Sequence, residues 1–197
     1  MQLAKRQHAI ITGTLLGDGC LERNGNFVRL RLEHGISQKS YLFWKHKELK
    51  NITGSVMELH AYHKVNKCFY DSVRVYTHTD PVFEQYWTAF YQNKKKVIPS
   101  NIRTLLKDPL SVAVWFMDDG YKRNDCNALR LGTDSFTKNE QGVLRSVLKK
   151  NFKIDATLHK KGKYWNLYIP QKEAIRFVKL IKPFIIPELT YKITLTP

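Results

Sequence analysis

Acidic residues are scarce in this chain of 197: 17 aspartates and glutamates stand against 33 lysines and arginines, a formal net charge of +16. That excess, spread along the whole length, goes beyond what solubility needs and suits a polyanionic partner, nucleic acid first. Cysteine is scarcer still. Cys20, Cys68 and Cys126 are odd in number, far apart and form no CxxC, so neither a disulfide framework nor a cysteine zinc site is expected, and the thiols read as reduced. No apolar run reaches the roughly 18 residues of a membrane span, and no lysine-rich amphipathic helix stands apart, so no membrane partner is expected. The opening MQLAKRQHAIITGTLLG runs straight into Gly-Asp-Gly without a small-residue cleavage pattern, which argues against a signal peptide. Such a start fits synthesis inside an organelle, mitochondrion or chloroplast, or in a bacterial cytoplasm, rather than secretion.

What is present is enough apolar material for a core: 43% of residues are hydrophobic and 12% aromatic. Residues 5–17 are apolar or small without proline and predict a helix that the first Asp-Gly closes, glycine accepting a left-handed cap. In NFVRLRLEH, Phe27, Arg29, Arg31 and Glu33 fall on one face and Val28, Leu30 and Leu32 on the other, a strand with one charged and one dry face. Ser37 is the expected cap of a helix through SQKSYLFWKHKELKNI. ELHAYHK and CFYDSVRVYT read as strands around a VNK turn, and Asp80-Pro81 opens a helix through VFEQYWTAFYQN. The second half opens at Pro109 with a helix through SVAVWFMDDG, then a strand at NALRLGT, a helix announced by the capping box Thr137 with Glu140, strands DATLHK and KYWNLYIP, and a last helix KEAIRFVKLI ending before Pro183.

The second half thus repeats the order of the first. Each half drives an apolar helix into Asp-Gly, at Asp18-Gly19 and Asp119-Gly120, 101 positions apart in the chain. The expected organisation is a first half 1–92, a basic proline-marked linker 93–108, and a second half 109–197.

The paired segments ITGTLLGDG (11–19) and VAVWFMDDG (112–120) resemble degenerate copies of the nine-residue motif that names the LAGLIDADG homing endonucleases, whose constant feature is the final acid-glycine. WFMDDG followed by TDSFT, the KKVIPSN segment and the ending LIKPFIIPELTYK are similar, in wording and order, to mitochondrial intron-encoded members with both motifs in one chain. The resemblance implies an α+β fold of two pseudosymmetric αββαββα halves, motif helices packed at the centre, and curved antiparallel sheets forming a DNA-binding saddle. It implies a monomer that hydrolyses double-stranded DNA at a long non-palindromic site with Mg2+ or Mn2+, leaves short 3′ overhangs and promotes mobility of its host intron. Gly13 and Gly17, at i and i+4, would let a partner helix approach closely. The second helix carries Val114 and Asp118 there, so an asymmetric packing is expected.

By the same resemblance the metal ligands are Asp18 and Asp119, each immediately before its glycine, with Asp118 left to dock the helices or touch metal-bound water. Two carboxylates brought together repel, and a hard divalent ion relieves that repulsion. Lys96, from the run Lys94–Lys96, and Lys192 match the family's basic residues near the scissile phosphates. Glu33 and Asp134, each fifteen residues after its motif aspartate, are candidates to order the water network. Arg29, Arg31 and Arg74 in the first half and Arg130, Lys163 and Asn166 in the second are the candidate DNA contacts, and many phosphate contacts imply steep salt dependence. Two other readings use the same scaffold: an RNA maturase holding its host intron, and a binding-only DNA regulator. A zinc site at His60 and His63 is disfavoured, because HxxH in a strand points the rings to opposite faces.

Overall fold

The computed structural model describes residues 1–63 and 65–195, with the side chains of residues 63 and 161 outside that description. In chain order the elements are α1 (Lys5–Leu16), β1 (Cys20–Asn24), β2 (Phe27–Gly35), α2 (Lys39–Glu48), β3 (Met57–His63), β4 (Cys68–Tyr76) and α3 (Pro81–Phe90). There follow β5 (Tyr91–Gln92), β6 (Lys95–Lys96), α4 (Ile102–Leu105), α5 (Pro109–Asp119), β7 (Gly120–Lys122), β8 (Leu129–Leu131), α6 (Lys138–Phe152), β9 (Thr157–Lys161), β10 (Tyr164–Ile169) and α7 (Gln171–Ile181). The chain is α+β with antiparallel sheets, and its repeat is visible in the strand order: β1-β2-β4-β3 in one sheet, β7-β8-β10-β9 in the other.

Two compact units result, Met1–Leu3 with Asp18–Trp87, and Ala4–Gly17 with Thr88–Pro197. Helix α1, which opens the first repeat in sequence, belongs by packing to the second unit, because its apolar surface is buried against α5. The 93–108 segment is itself folded, holding β6 and α4 with Ile102 and Leu106 buried. No helix among the described residues is long and apolar enough to cross a membrane.

In the first unit, α2 lies against β2 and β4 over Val28, Leu30, Leu32, Val73 and Val75, all buried. The burial of β2 alternates strictly, as the sequence pattern requires. In the second unit, Leu144 and Leu148 of α6 share a core with Leu129, Leu131, Leu167 and Ile169 of the sheet, and Phe116 of α5 meets Phe177 of α7 edge-on at 5.4 Å. Two hairpins turn on a glycine at the first of two loop positions, Gly25 (φ 61°) before Asn26 and Gly162 (φ 60°) before Lys163, where a side chain would be strained.

The Thr137 and Glu140 capping box is present as expected: the Thr137 hydroxyl accepts from Glu140 N, and Glu140 accepts from Thr137 N at 2.8 Å. Ser37, in contrast, does not cap α2. It lies inside a 3-10 turn, Ile36–Gln38, that leads directly into the helix, so its backbone is already helical where a cap would be extended. His60 pairs with Asp71 at 2.6 Å and stacks on Phe69, while the His63 half of HxxH lies outside the described side chains.

Candidate functional site

The site is built on the two motif helices. A Cβ placed on Gly13 would run into the Ser111 carbonyl oxygen and lie 2.8 Å from Val114 Cβ; one on Gly17 would lie 2.5 Å from Asp118 Cβ and 2.6 Å from its Oδ2. Val114 and Asp118 therefore occupy the hollows that the glycines of α1 leave. The asymmetry expected from the sequence is that of a matched pair, one helix supplying the recesses and the other the side chains that fill them.

The first helix does not reach its expected glycine cap at Gly19, because α1 already stops at Leu16. Gly17 leaves α1 at φ −104°, ψ −133°, its N–H donating to the carbonyls of Gly13 and Thr14, and Gly120 leaves α5 in extended backbone at φ −87°, ψ 149°. Neither uses a left-handed cap. Close packing demands glycine instead, since a Cβ on Gly120 would collide with the Phe116 ring and carbonyl.

The motif aspartates are the residues at or just past these ends. Asp18 follows Gly17 directly and keeps 45% of its side chain exposed. It borders an open cleft of about 480 Å³ with Arg31, Glu33, His34, Gly35, Ser37 and Gln38. Asp119 is the last residue of α5; its carbonyl accepts from Gly132 N at 2.9 Å, and its carboxyl carbon would lie 3.9 Å from a Cβ on Gly132. Asp118 is buried against Gly17.

Both candidate lysines reach the carbonyl end of a motif helix. Lys96 Nζ donates to Gly17 O at 2.9 Å, and Lys192 Nζ, nearly buried, donates to Met117 O at 2.6 Å and Asp118 O at 3.3 Å. Carbonyls at a helix C-terminus carry partial negative charge, so an ammonium there is held by dipole and hydrogen bond together. Two residues far apart in sequence thus do equivalent work at the two helix ends.

Glu33 is tied to the sheet by Ser72 Oγ at 2.9 Å and Arg74 at 2.8 Å. Asp134 is exposed in the loop between β8 and α6. On the polar face of the first sheet, Arg29 stacks over Tyr76 at 3.7 Å and is held by Glu22 at 2.6 Å, with Arg31 3.6 Å from Glu22. These guanidinium groups are fixed by neighbouring carboxylates and rings before any ligand arrives. On the second sheet Arg130 lies over Tyr168, which also stacks on His159 at 3.9 Å, and Lys163 lies over Tyr164. Burial, then the charges of Arg130 and Arg123, push the His159 imidazole below its usual pKa.

Asn166 does not belong with these contacts. It is 2% exposed, and its Oδ1 accepts from Thr133 N at 3.2 Å, pinning the 132–137 loop next to a buried Gln141 whose Nε2 donates to the carbonyls of Thr133, Phe136 and Trp165. Its polarity serves the interior, because the loop leaves backbone groups there that need partners.

Two buried residues beside Asp18 escaped the sequence reading. His34 Nδ1 stands 3.8 Å from Asp18 Oδ2, and Lys45 Nζ, fully buried, stands 3.2 Å from His34 Nε2. The signal was available: His34 continues the dry row Val28, Leu30, Leu32, and Lys45 continues the buried stripe Tyr41, Leu42 of α2.

Comparison with known proteins agrees with this architecture. The DNA endonuclease I-ChuI of Chlamydomonas applanata is 30% identical over 217 residues, covering 98% of this chain and 97% of the relative. The cytochrome b mRNA maturase bI2 of Debaryomyces hansenii is 31% identical over 198 residues, covering 97% and 74%. The solved structure of the homing endonuclease I-WcaI bound to its DNA recognition sequence shares the fold, with a TM-score of 0.91 at 24% identity over 100% of this chain and 89% of that one. A family model described as the LAGLIDADG DNA endonuclease family matches residues 8–177, and the chain belongs to that family.

Proposed function

We propose that the protein is a monomeric site-specific endonuclease that hydrolyses both strands of a long, non-palindromic DNA target and so promotes the mobility of its host intron. The carrying observation is the packing of α1 on α5 through Gly13 and Gly17, with Asp18 next in the chain after Gly17 and Asp119 ending α5. In this reading Asp18 and Asp119 are the metal-binding carboxylates. They offer the hard oxygen donors that Mg2+ or Mn2+ takes, and Asp18 is open enough to share an ion with phosphate and water. Held by Asp18 and Asp119, such an ion would supply polarisation of the scissile phosphate, activation of a water and charge stabilisation at the leaving oxygen.

The chain's own groups prepare the approach of a polyanion. Two helix carbonyl ends beside two carboxylates would repel phosphate, and Lys96 and Lys192 offset that charge from positions fixed by their hydrogen bonds. Glu33 and Asp134 order water near the reacting strands, and Arg29, Arg31, Arg74, Arg130 and Lys163 contact the duplex. The name of the cytochrome b mRNA maturase relative supports an organelle interior as the place of action and favours one second reading, a splicing cofactor for the host intron RNA.

The test is incubation of the purified chain with Mg2+ or EDTA and a library of long duplexes carrying candidate insertion sites. Mg2+-dependent cutting of both strands at one site supports the nuclease. Tight binding and splicing of an intron RNA, with every duplex left intact, would replace it by the maturase.

A further inference from the structure

The His34 ring lies between Asp18 and Lys45, with Nδ1 on the side of the carboxylate and Nε2 on the side of the lysine. Lys45 is 0% exposed and its Nζ is 4.4 Å from the centre of the Tyr41 ring, which is itself 4.9 Å from the His34 ring. Burying a lysine in a core carries a heavy desolvation cost, which a methionine of similar length would avoid. What a methionine could not supply is a donor. An ammonium group has three N–H donors and no acceptor, so at 3.2 Å Lys45 donates and His34 Nε2 accepts. A neutral imidazole that accepts at Nε2 carries its hydrogen on Nδ1, the atom 3.8 Å from Asp18 Oδ2. That separation is longer than a direct hydrogen bond, and across it the N–H acts on the carboxylate as a nearby dipole.

We propose that Lys45 locks His34 in the Nδ1–H tautomer, so that His34 is a positioning residue that orients the Asp18 carboxylate and not itself a metal ligand. Its bearing on cleavage rests on the reading of Asp18 as a metal-binding carboxylate; the tautomer does not. An Nδ1 carrying hydrogen has no lone pair to give a cation. The proposed acid of the first repeat, itself open to solvent, is thereby held from behind by two buried residues, His34 and Lys45.

The test uses the full chain labelled with 15N-histidine, His34 being assigned with the His34→Asn variant. Expected are the shift of a protonated nitrogen at Nδ1 and of an unprotonated one at Nε2, an Nδ1 signal displaced by Asp18→Asn while Nε2 stays, and loss of the single tautomer in Lys45→Met. A proton on Nε2, protons on both nitrogens, or an Nδ1 signal indifferent to Asp18→Asn would overturn the proposal. Should Lys45→Met not fold, the wild-type and Asp18→Asn spectra still decide.

In cleavage assays His34→Gln, whose amide reaches the Nε2 position, loses roughly 10–100-fold in kcat. His34→Asn, which keeps an N–H at the Nδ1 position, loses less, and both bind the target in Ca2+ as wild type does; equal kcat values for the two variants would also overturn the proposal. A wild type that never cleaves defeats the nuclease reading and leaves the spectra to judge the tautomer. A wild type that cleaves with its His34 proton on Nε2 defeats this inference alone.

Discussion

Replacing Gly13 by alanine should weaken the protein, whereas the same replacement at Gly142 should strengthen it. Both glycines lie inside helices, α1 and α6, so both changes gain about 1 kcal/mol of helix propensity. Their surroundings differ. Around Gly142 nothing lies within 4 Å of the new methyl, while at Gly13 it meets the Ser111 carbonyl oxygen, Ser111 C at 3.1 Å and Val114 Cβ at 2.8 Å. The first two are backbone of a buried helix and cannot swing aside, so relief requires moving α5 away from α1. Overpacking of this kind costs about 1–3 kcal/mol, and the propensity gain cancels when the two variants are compared. For a chain of this size that difference is a gap of roughly 2–12 °C in Tm, Gly142→Ala above wild type and Gly13→Ala below Gly142→Ala. Thermal or urea unfolding followed by circular dichroism reads both. If Gly13→Ala matches Gly142→Ala in stability, the two helices are not in the contact described, and the placement of the aspartates after them loses its support.

Other consequences follow from individual groups. Glu140 is partly buried, which opposes its charge, yet the Thr137 hydroxyl and the backbone N–H groups of Ile98 and Thr137 outweigh that and hold its pKa below the ordinary 4.5. A depressed folded pKa means its contribution is complete above about pH 4.5 and disappears as pH falls through the folded value; Glu140→Gln should flatten that part of the acid stability profile, and parallel profiles would refute the assignment. Gln141→Leu strips three carbonyls, two of them in buried contacts, of their donor and should cost about 2–4 kcal/mol in urea unfolding. Asn166→Ala should lower stability by about 1–3 kcal/mol and leave target preference unchanged, so a change in preferred sequence without loss of stability would return Asn166 to the DNA face. With a net charge of +16, affinity for duplex should fall about 10³-fold or more between 50 and 200 mM salt in fluorescence anisotropy; a flat response would contradict phosphate contact.

Much of the architecture was legible because it rests on local, repeated signals. Alternation in NFVRLRLEH fixed the strand and its two faces, Pro109 and the Thr137 box marked helix starts, and the recurrence of Asp-Gly at half-chain spacing announced the duplication. What escaped depends on contacts between segments distant in the chain. Gly19 reads as a left-handed cap of the first helix, since nothing local reveals that α1 stops two residues earlier, at Gly17, where Asp118 fills the space a Cβ would need. Asn166 read as a surface amide because its partner, Thr133 N, comes from another strand's exit loop. Ser37 read as a cap because a preceding 3-10 turn leaves no trace in composition. His34 and Lys45 give no local signal of their place behind Asp18, because each sits on an apolar row whose spacing reports packing and not the partner across it.

Asp18 and Asp119 are proposed to make a metal-dependent phosphodiesterase together. That pairing is tested most directly by strand-resolved single-turnover cleavage of the cognate duplex by wild type, Asp18→Asn and Asp119→Asn, each across a Mg2+ titration and with target binding measured separately in Ca2+. Wild type is expected to cut both strands only with the ion present, while each variant binds the target but loses cleavage. Either variant cutting both strands at the wild-type rate, or wild type cutting equally well in EDTA, would contradict it.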